Sequence, residues 1–147
     1  MRLRLILAVA ALAAFPIACK HKEEVAVPKE DIPREIAIEK LRTTLPSCQE
    51  LVSTAPSKET LRQADIREWL VRNDGFEVRP VKTKTKPIVL NYADIVETRM
   101  EKSGGRFYVK LYTTVQKDPN KEQFTFLWSS EDNARTVDQS FEALRKK

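Results

Sequence analysis

Few side chains in this chain of 147 residues have the type and spacing that chemistry requires. The single histidine, His21, lies between Lys20 and Lys22 in a charged stretch where no fixed partner orients its ring, so it reads as a solvated residue. Cys19 and Cys48 form no C-x-x-C motif, and with one histidine they are too few for a structural zinc site. Glu131 and Asp132 are adjacent carboxylates, but they open a predicted helix, whose dipole accounts for both. Gly75, Gly104 and Gly105 all read as turn residues and leave no phosphate-cradling loop. Neither a G-x-S-x-G nucleophile elbow nor a calcium loop occurs. The expectation is a chain without catalytic residues, metal or cofactor.

The most distinctive charge pattern is RPVKTKTKP, in which Arg79 precedes the alternating Lys82, Lys84 and Lys86. In a strand the three lysines would share one face. Such a patch suits an anionic surface, where each basic side chain contributes up to about 1 kcal/mol. Lysines on an edge strand also keep that edge soluble, which is the plainer reading. Tyr108 and Tyr112 alternate with Lys110 along another strand; they could line an exposed aromatic strip with it, but the plainer expectation is that the two tyrosines pack beneath the flanking helix or a neighbouring strand.

The first nineteen residues, MRLRLILAVAALAAFPIAC, place the rest. Arg2 and Arg4 form a positive start, Leu5 to Phe15 is an uncharged apolar run, and small residues lead to Cys19. That is the layout of an export signal. The stretch from Leu5 to Ala18 would make a helix of about 20 Å, against about 30 Å of hydrocarbon, so it is too short for a span. It resembles a bacterial lipoprotein signal, which implies cleavage before Cys19 and a lipid on that sulfur. Pro16 departs from the aliphatic residue usual three places before the cysteine, and Ala11-Leu12-Ala13 offers an ordinary cleavage site instead. A lipidated Cys19 cannot form a disulfide, which leaves Cys48 as a lone thiol, read as a small apolar residue at a helix end. Residue 20 is Lys, where inner-membrane lipoproteins of enterobacteria often carry Asp. In a Gram-negative host the resemblance therefore implies the outer membrane, periplasmic face; ordinary cleavage would give a soluble periplasmic or secreted protein.

Residues 19–33 contain two prolines and no hydrophobic period, as expected of a flexible tether. Its typical span would be roughly 20 Å, and about 45–50 Å pulled straight. Residues 34–147 then form one globular domain. Without Arg2 and Arg4 the chain keeps 24 of its 26 basic residues against 21 acidic ones. That mild, interspersed excess excludes a basic nucleic-acid-binding domain. No internal repeat is evident.

The expected class is α+β. PREIAIEKLRTTL predicts a helix, started by Asp31 and Pro33, stopped by Pro46, with Ile38, Leu41 and Leu45 on one face. Residues 46–60 read as a polar connection. Residues 61–72 are open between helix and strand; the turn signal Asn73-Asp74-Gly75 favours a hairpin with Phe76, Val78 and Val81 in the return strand. Ile88, Leu90 and Tyr92 alternate in a strand, and Val96, Thr98 and Met100 share a face of the next. After Ser103-Gly104-Gly105, RFYVKLYTTV alternates; Asp118-Pro119-Asn120 turns the chain, and Phe124, Phe126 and Trp128 mark the last strand. SSEDNARTVDQSFEALRKK is a closing helix with Ala134, Val137, Phe141 and Leu144 as its apolar stripe.

An antiparallel meander of five to seven strands with a C-terminal amphipathic helix resembles the pleckstrin-homology-like (GRAM-like) superfold, a partly open barrel. Tyr92-Ala93-Asp94-Ile95, the SGGRFYVKL hairpin and WSSEDNARTVDQSFEAL carry the resemblance over residues 64–147. Trp128 falls just before the final helix, whereas eukaryotic members carry a tryptophan within it. The resemblance implies a non-catalytic binding module, here anchored to a membrane by its lipid and facing an unidentified envelope protein. The alternative it implies is binding of an anionic headgroup or small ligand through Arg79, Lys82, Lys84 and Lys86.

Overall fold

Alternating apolar residues and short turns build an α+β arrangement of two open antiparallel sheets in the computed structural model, which describes residues 22–145. The expected export signal at 1–18 and the residues Cys19 and His21 lie outside those described residues. In chain order the strands are β1 (Glu23–Val25), β2 (Glu50–Ser53), β3 (Glu59–Arg62), β4 (Ile66–Val71), β5 (Gly75–Pro80), β6 (Ile88–Asn91), β7 (Ile95–Ser103), β8 (Arg106–Thr113) and β9 (Phe124–Trp128). Helix α1 (Arg34–Thr44) lies between β1 and β2, and α2 (Glu131–Arg145) follows β9. One sheet has the order β1-β7-β8-β9-β2-β3, the other β4-β5-β6.

The core lies between the sheets and beneath the helices. Phe141 of α2 packs with ring centroids 6.0 Å from Phe76 and 5.6 Å from Phe126, so one side chain joins both sheets. Ala134, Val137, Phe141 and Leu144 are all fully buried, as a helical stripe on a core should be. The Ser130 hydroxyl accepts a hydrogen bond from the Asn133 N–H at 3.3 Å, capping α2. On α1, Ala37, Ile38 and Leu41 are buried, as is Leu45 just beyond it. Pro33 is the N-cap and makes no side-chain bond, so Asp31 plays no capping part. Arg34 and Arg42 instead hold α1 to the β4–β5 end, donating to the carbonyls of Asn73 and Val71.

Several expectations change. The segment read as a flexible tether is docked from residue 23 onward: β1 pairs with β7, and Val25, Val27 and Ile32 pack against the core. Three apolar side chains spread over eight residues show no period, which is why the segment looked like linker. The polar connection at 46–60 contains β2 and β3, which pair with each other, and β2 also pairs with β9. Their burial rests on Leu51 and Leu61, too few for a sequence pattern. Residues 66–71 are strand, and β5 ends at Pro80, leaving Val81 exposed. Tyr92 lies beyond β6 in a 3-10 turn. Val96 is exposed because the register shifts between Ile95 and Glu97, so it does not share the inward face of Met100.

Gly75 is not needed for a turn conformation. A Cβ there would stand 2.0 Å from the Leu90 carbonyl oxygen of β6, so close backbone approach excludes any side chain. Gly104 and Gly105, at φ +57° and +73°, do form a two-residue turn between Ser103 and Arg106 that requires left-handed backbone.

An internal repeat is present after all, at the corners where the chain changes sheet. Gln63-Ala64-Asp65-Ile66-Arg67-Glu68 and Tyr92-Ala93-Asp94-Ile95-Val96-Glu97 share Ala-Asp-Ile-x-Glu. Each begins with a 3-10 turn, and each skips one residue between its Ile and its Glu in the following strand. The Asp65 carbonyl accepts from the Val81 N–H at 2.8 Å, and the Asp94 carbonyl from the Thr114 N–H at 2.9 Å. Each corner therefore pins the residue just past its partner strand. Two three-stranded meanders result, 63–91 and 92–128.

Candidate functional site

The lysines of the RPVKTKTKP run lie in the loop 81–87 between β5 and β6, not in a strand, so they do not share a face. A turn closed by Thr85 N–H to the Lys82 carbonyl at 3.1 Å bends the run, and two prolines flank it. Lys84 and Lys86 reach one wall of a cleft of about 570 Å³. Its floor is apolar, made by Phe124, Ile88 and Pro87. The opposite wall is loop 54–58, with Ala55, Pro56 and Ser57. Lys82 lines a smaller hollow of about 140 Å³ next to it, beside Asp65 and Leu61. Arg79 does not join them. Its guanidinium is held by Glu77 at 3.0 Å and Glu68 at 3.4 Å, and its pKa is raised, first by the hydrogen bond to Glu77.

The two walls are fixed to different degrees. Thr54 donates its N–H to the Gln123 carbonyl at 2.9 Å and its hydroxyl to the Glu122 carbonyl at 2.6 Å. Buried Gln123 donates its side-chain amide to the Ala55 carbonyl at 2.9 Å and receives the Thr113 hydroxyl. Gln116 adds a bond to the Thr54 hydroxyl. The Ala55–Pro56 peptide is cis. Hydrogen bonds thus tie loop 54–58 down at Thr54 and Ala55, whereas Lys84 and Lys86 stand exposed on the other wall, with no ion-pair partner among the described residues. A hydrogen-bonded wall, an apolar floor and two lysines that outnumber the one carboxylate in the lining, Glu59, suit a ligand that presents an apolar group beside an anion.

A second hollow, of about 500 Å³, lies between residues 24–30, β7 and α2. Its charges are largely spent on each other: Arg145 on Glu142, Arg99 on Glu97 at 2.8 Å, and Lys29 on Glu142 at 3.8 Å. Asp138 lies buried there, with its carboxyl pushed up to about 6, chiefly by burial; a hydrogen bond from Thr98 opposes the shift. This hollow is the seat of the docked chain segment, since Gln139 donates to the Pro28 carbonyl at 3.2 Å.

The other candidates fall into structural places. Cys48 is fully buried, and its thiol, bonded to the Glu50 carbonyl, is pushed up to about 12 by burial. It is unreactive near neutrality. Lys110 is buried on the outer face of β8, 3.1 Å from Glu101 and 3.9 Å from Glu122. Tyr108 and Tyr112 flank it beneath Lys22 and Arg99, whose cations stand 5.7 and 4.8 Å from the ring centroids. Glu131 pairs with Arg135 at 2.8 Å in the first turn of α2. Among the described residues no cluster of His, Cys, Asp or Glu could hold a metal, and no helix is long and apolar enough to cross a membrane.

Gln123, Asp138 and the loop 54–58 carried no sequence signal, because a polar residue that organises a loop looks like any other until its partners are known. Comparison of the chain with known protein families, curated proteins and solved structures finds no match.

Proposed function

We propose that this is an exported, lipid-anchored protein of the bacterial cell envelope, a non-catalytic binding or scaffolding module on a pleckstrin-homology-like plan. The export-signal layout ending at Cys19 supports the anchoring, and the outer membrane, periplasmic face, is its place in a Gram-negative host. Two sheets closed by a C-terminal helix support the plan. The observation that carries the binding role is the cleft between loops 54–58 and 81–87.

A photo-crosslinking residue in place of Val89, a half-exposed residue lining the cleft, tests the role in cells. One discrete conjugate is expected, lost when Pro87→Asp puts a carboxylate into the cleft. A conjugate formed instead from Lys40 on α1, with none from Val89, would overturn it.

The second reading takes an anionic headgroup or small anionic ligand at Lys82, Lys84 and Lys86, and the exposure of Lys84 and Lys86 at the cleft favours it. The Cys19→Ser chain would then co-sediment with phosphatidylglycerol vesicles at low salt. Binding should fall about fivefold per lysine replaced by Ser, at about 1 kcal/mol each. Absence of low-salt binding removes that reading.

A further inference from the structure

We infer that the β7–β8 hairpin end is the membrane-facing pole of the domain, docked on anionic lipid headgroups, and that the cleft is turned away from that membrane. The inference rests on the reading of Cys19 as the lipid-bearing residue. It follows from where the chain emerges. Strand β1 is antiparallel to β7, with Glu23 opposite Lys102 and Val25 opposite Met100. Residue 22 therefore leaves the sheet beside the Ser103–Arg106 turn, and the Lys22 ammonium sits over Tyr108 there. From Cys19 to Glu23 is four peptide steps, at most about 14 Å. A lipid on Cys19 thus holds this end of the domain at the headgroups.

The charge at this end is of the matching sign. Lys22, Lys102 and Arg106 are exposed, and among the described residues neither Lys102 nor Arg106 has an ion-pair partner; Glu23 and Glu24 are the exposed acids beside them, and Glu101 is engaged by Lys110. Most other arginines of the domain are engaged with carboxylates, as Arg79, Arg99, Arg135 and Arg145 are. Gly104 and Gly105 carry no side chain, so the tip can approach a surface closely.

The cleft lies at the other end of the same sheet. Phe124, on its floor, pairs with Leu111, five residues along β8 from Arg106, or about 17 Å. That is about two Debye lengths at physiological salt, which places the Phe124 floor of the cleft outside the field of a leaflet at the hairpin end. The cleft is left to meet a ligand from the envelope space.

The test uses the full lipidated chain in vesicles of phosphatidylethanolamine and phosphatidylglycerol carrying a headgroup nitroxide. A fluorophore is attached at Ser103→Cys or at Thr83→Cys in the cleft loop; buried Cys48 does not compete for the label. Quenching at 103 should exceed that at 83 several-fold, and Lys102→Glu with Arg106→Glu should reduce the difference. Equal quenching, or stronger quenching at 83, overturns the pole. Palmitate incorporation, lost in Cys19→Ser, is read on the same samples. Labelled chain with the wrong quenching order overturns the pole alone, whereas chain without palmitate overturns the anchor and the pole together.

Discussion

The two three-stranded units, 63–91 and 92–128, start from the same corner and end as different devices. Each opens on Ala-Asp-Ile, skips a residue, and uses an aspartate carbonyl to pin the end of its second strand. They diverge in the loop before the third strand. In the second unit, Gln123 bonds the Leu111 carbonyl through its N–H at 2.8 Å, and Asp118 closes a turn with Asn120 and Lys121. In the first, loop 81–87 is shorter and carries a single internal turn with three exposed lysines. The second unit is also flanked on both sides, by β1 and by β2 with β3, while β4 and β6 stay at sheet edges. One corner design thus supports both a braced centre and an exposed loop, and the cleft lies where that loop and Phe124 of the second unit meet loop 54–58.

The harshest way to break this comparison is to remove what the units share. Phe141→Ala should cost about 3–5 kcal/mol in urea unfolding, because the ring touches Phe76 of one unit and Phe126 of the other. Cooperative loss of both near-ultraviolet tryptophan signals, Trp69 and Trp128, would accompany it. Gly75→Ala strikes one unit only. With the Leu90 oxygen in the way, a cost of about 1–3 kcal/mol is expected, with amide exchange accelerated in β4 to β6 before β7 to β9.

Asp138 probes the second unit's contact with α2. Its folded carboxyl is raised to about 6, above the ordinary value near 4, so its contribution is fully present below about pH 4 and is lost as pH rises through about 6. Asp138→Asn should therefore stabilise the protein by about 2 kcal/mol at pH 7 and by almost nothing at pH 4. A gain equal at both pH values would refute the assignment to this carboxyl. Gln123→Ala should cost about 1–2 kcal/mol and loosen loop 54–58 in amide exchange, because the Ala55 carbonyl and the Thr113 hydroxyl lose their partner. At the small end, Lys82→Ser, Lys84→Ser and Lys86→Ser together should stay within about 0.5 kcal/mol of the parent, since the loop holds no packed contact through them.

Legibility in the sequence followed the period of the pattern. β8 and β9 and the stripe of α2 alternate or repeat cleanly, so Val109, Leu111, Phe124, Phe126 and Phe141 are recognisable as core from their spacing alone. β1, β2 and β3 are three or four residues long and show no period, because sheet partners decide them more than side chains do. The alternation misplaces Val96, because a register shift reverses the inward face without changing the residue order. Of the site, the lysines were visible as charge, but the bend that separates Lys82 from Lys84 and Lys86 was not. Arg79 reads as part of the patch from its spacing, and only the folded chain sets Glu77 and Glu68 against it.

The docking of residues 23–33 also has a mechanical meaning. If the domain is held through Cys19 as proposed, β1 is pulled along its own axis, so its pairs with β7 bear a load in shear, together, instead of opening one by one. When those pairs, the packing of Val27 and Ile32 and the Gln139–Pro28 bond all yield, residues 23–33 would pay out as much as about 40 Å of slack. On the proposed anchor the domain would have a short reach while β1 is seated and a long one after this segment slips, with the same folded body at the end of both.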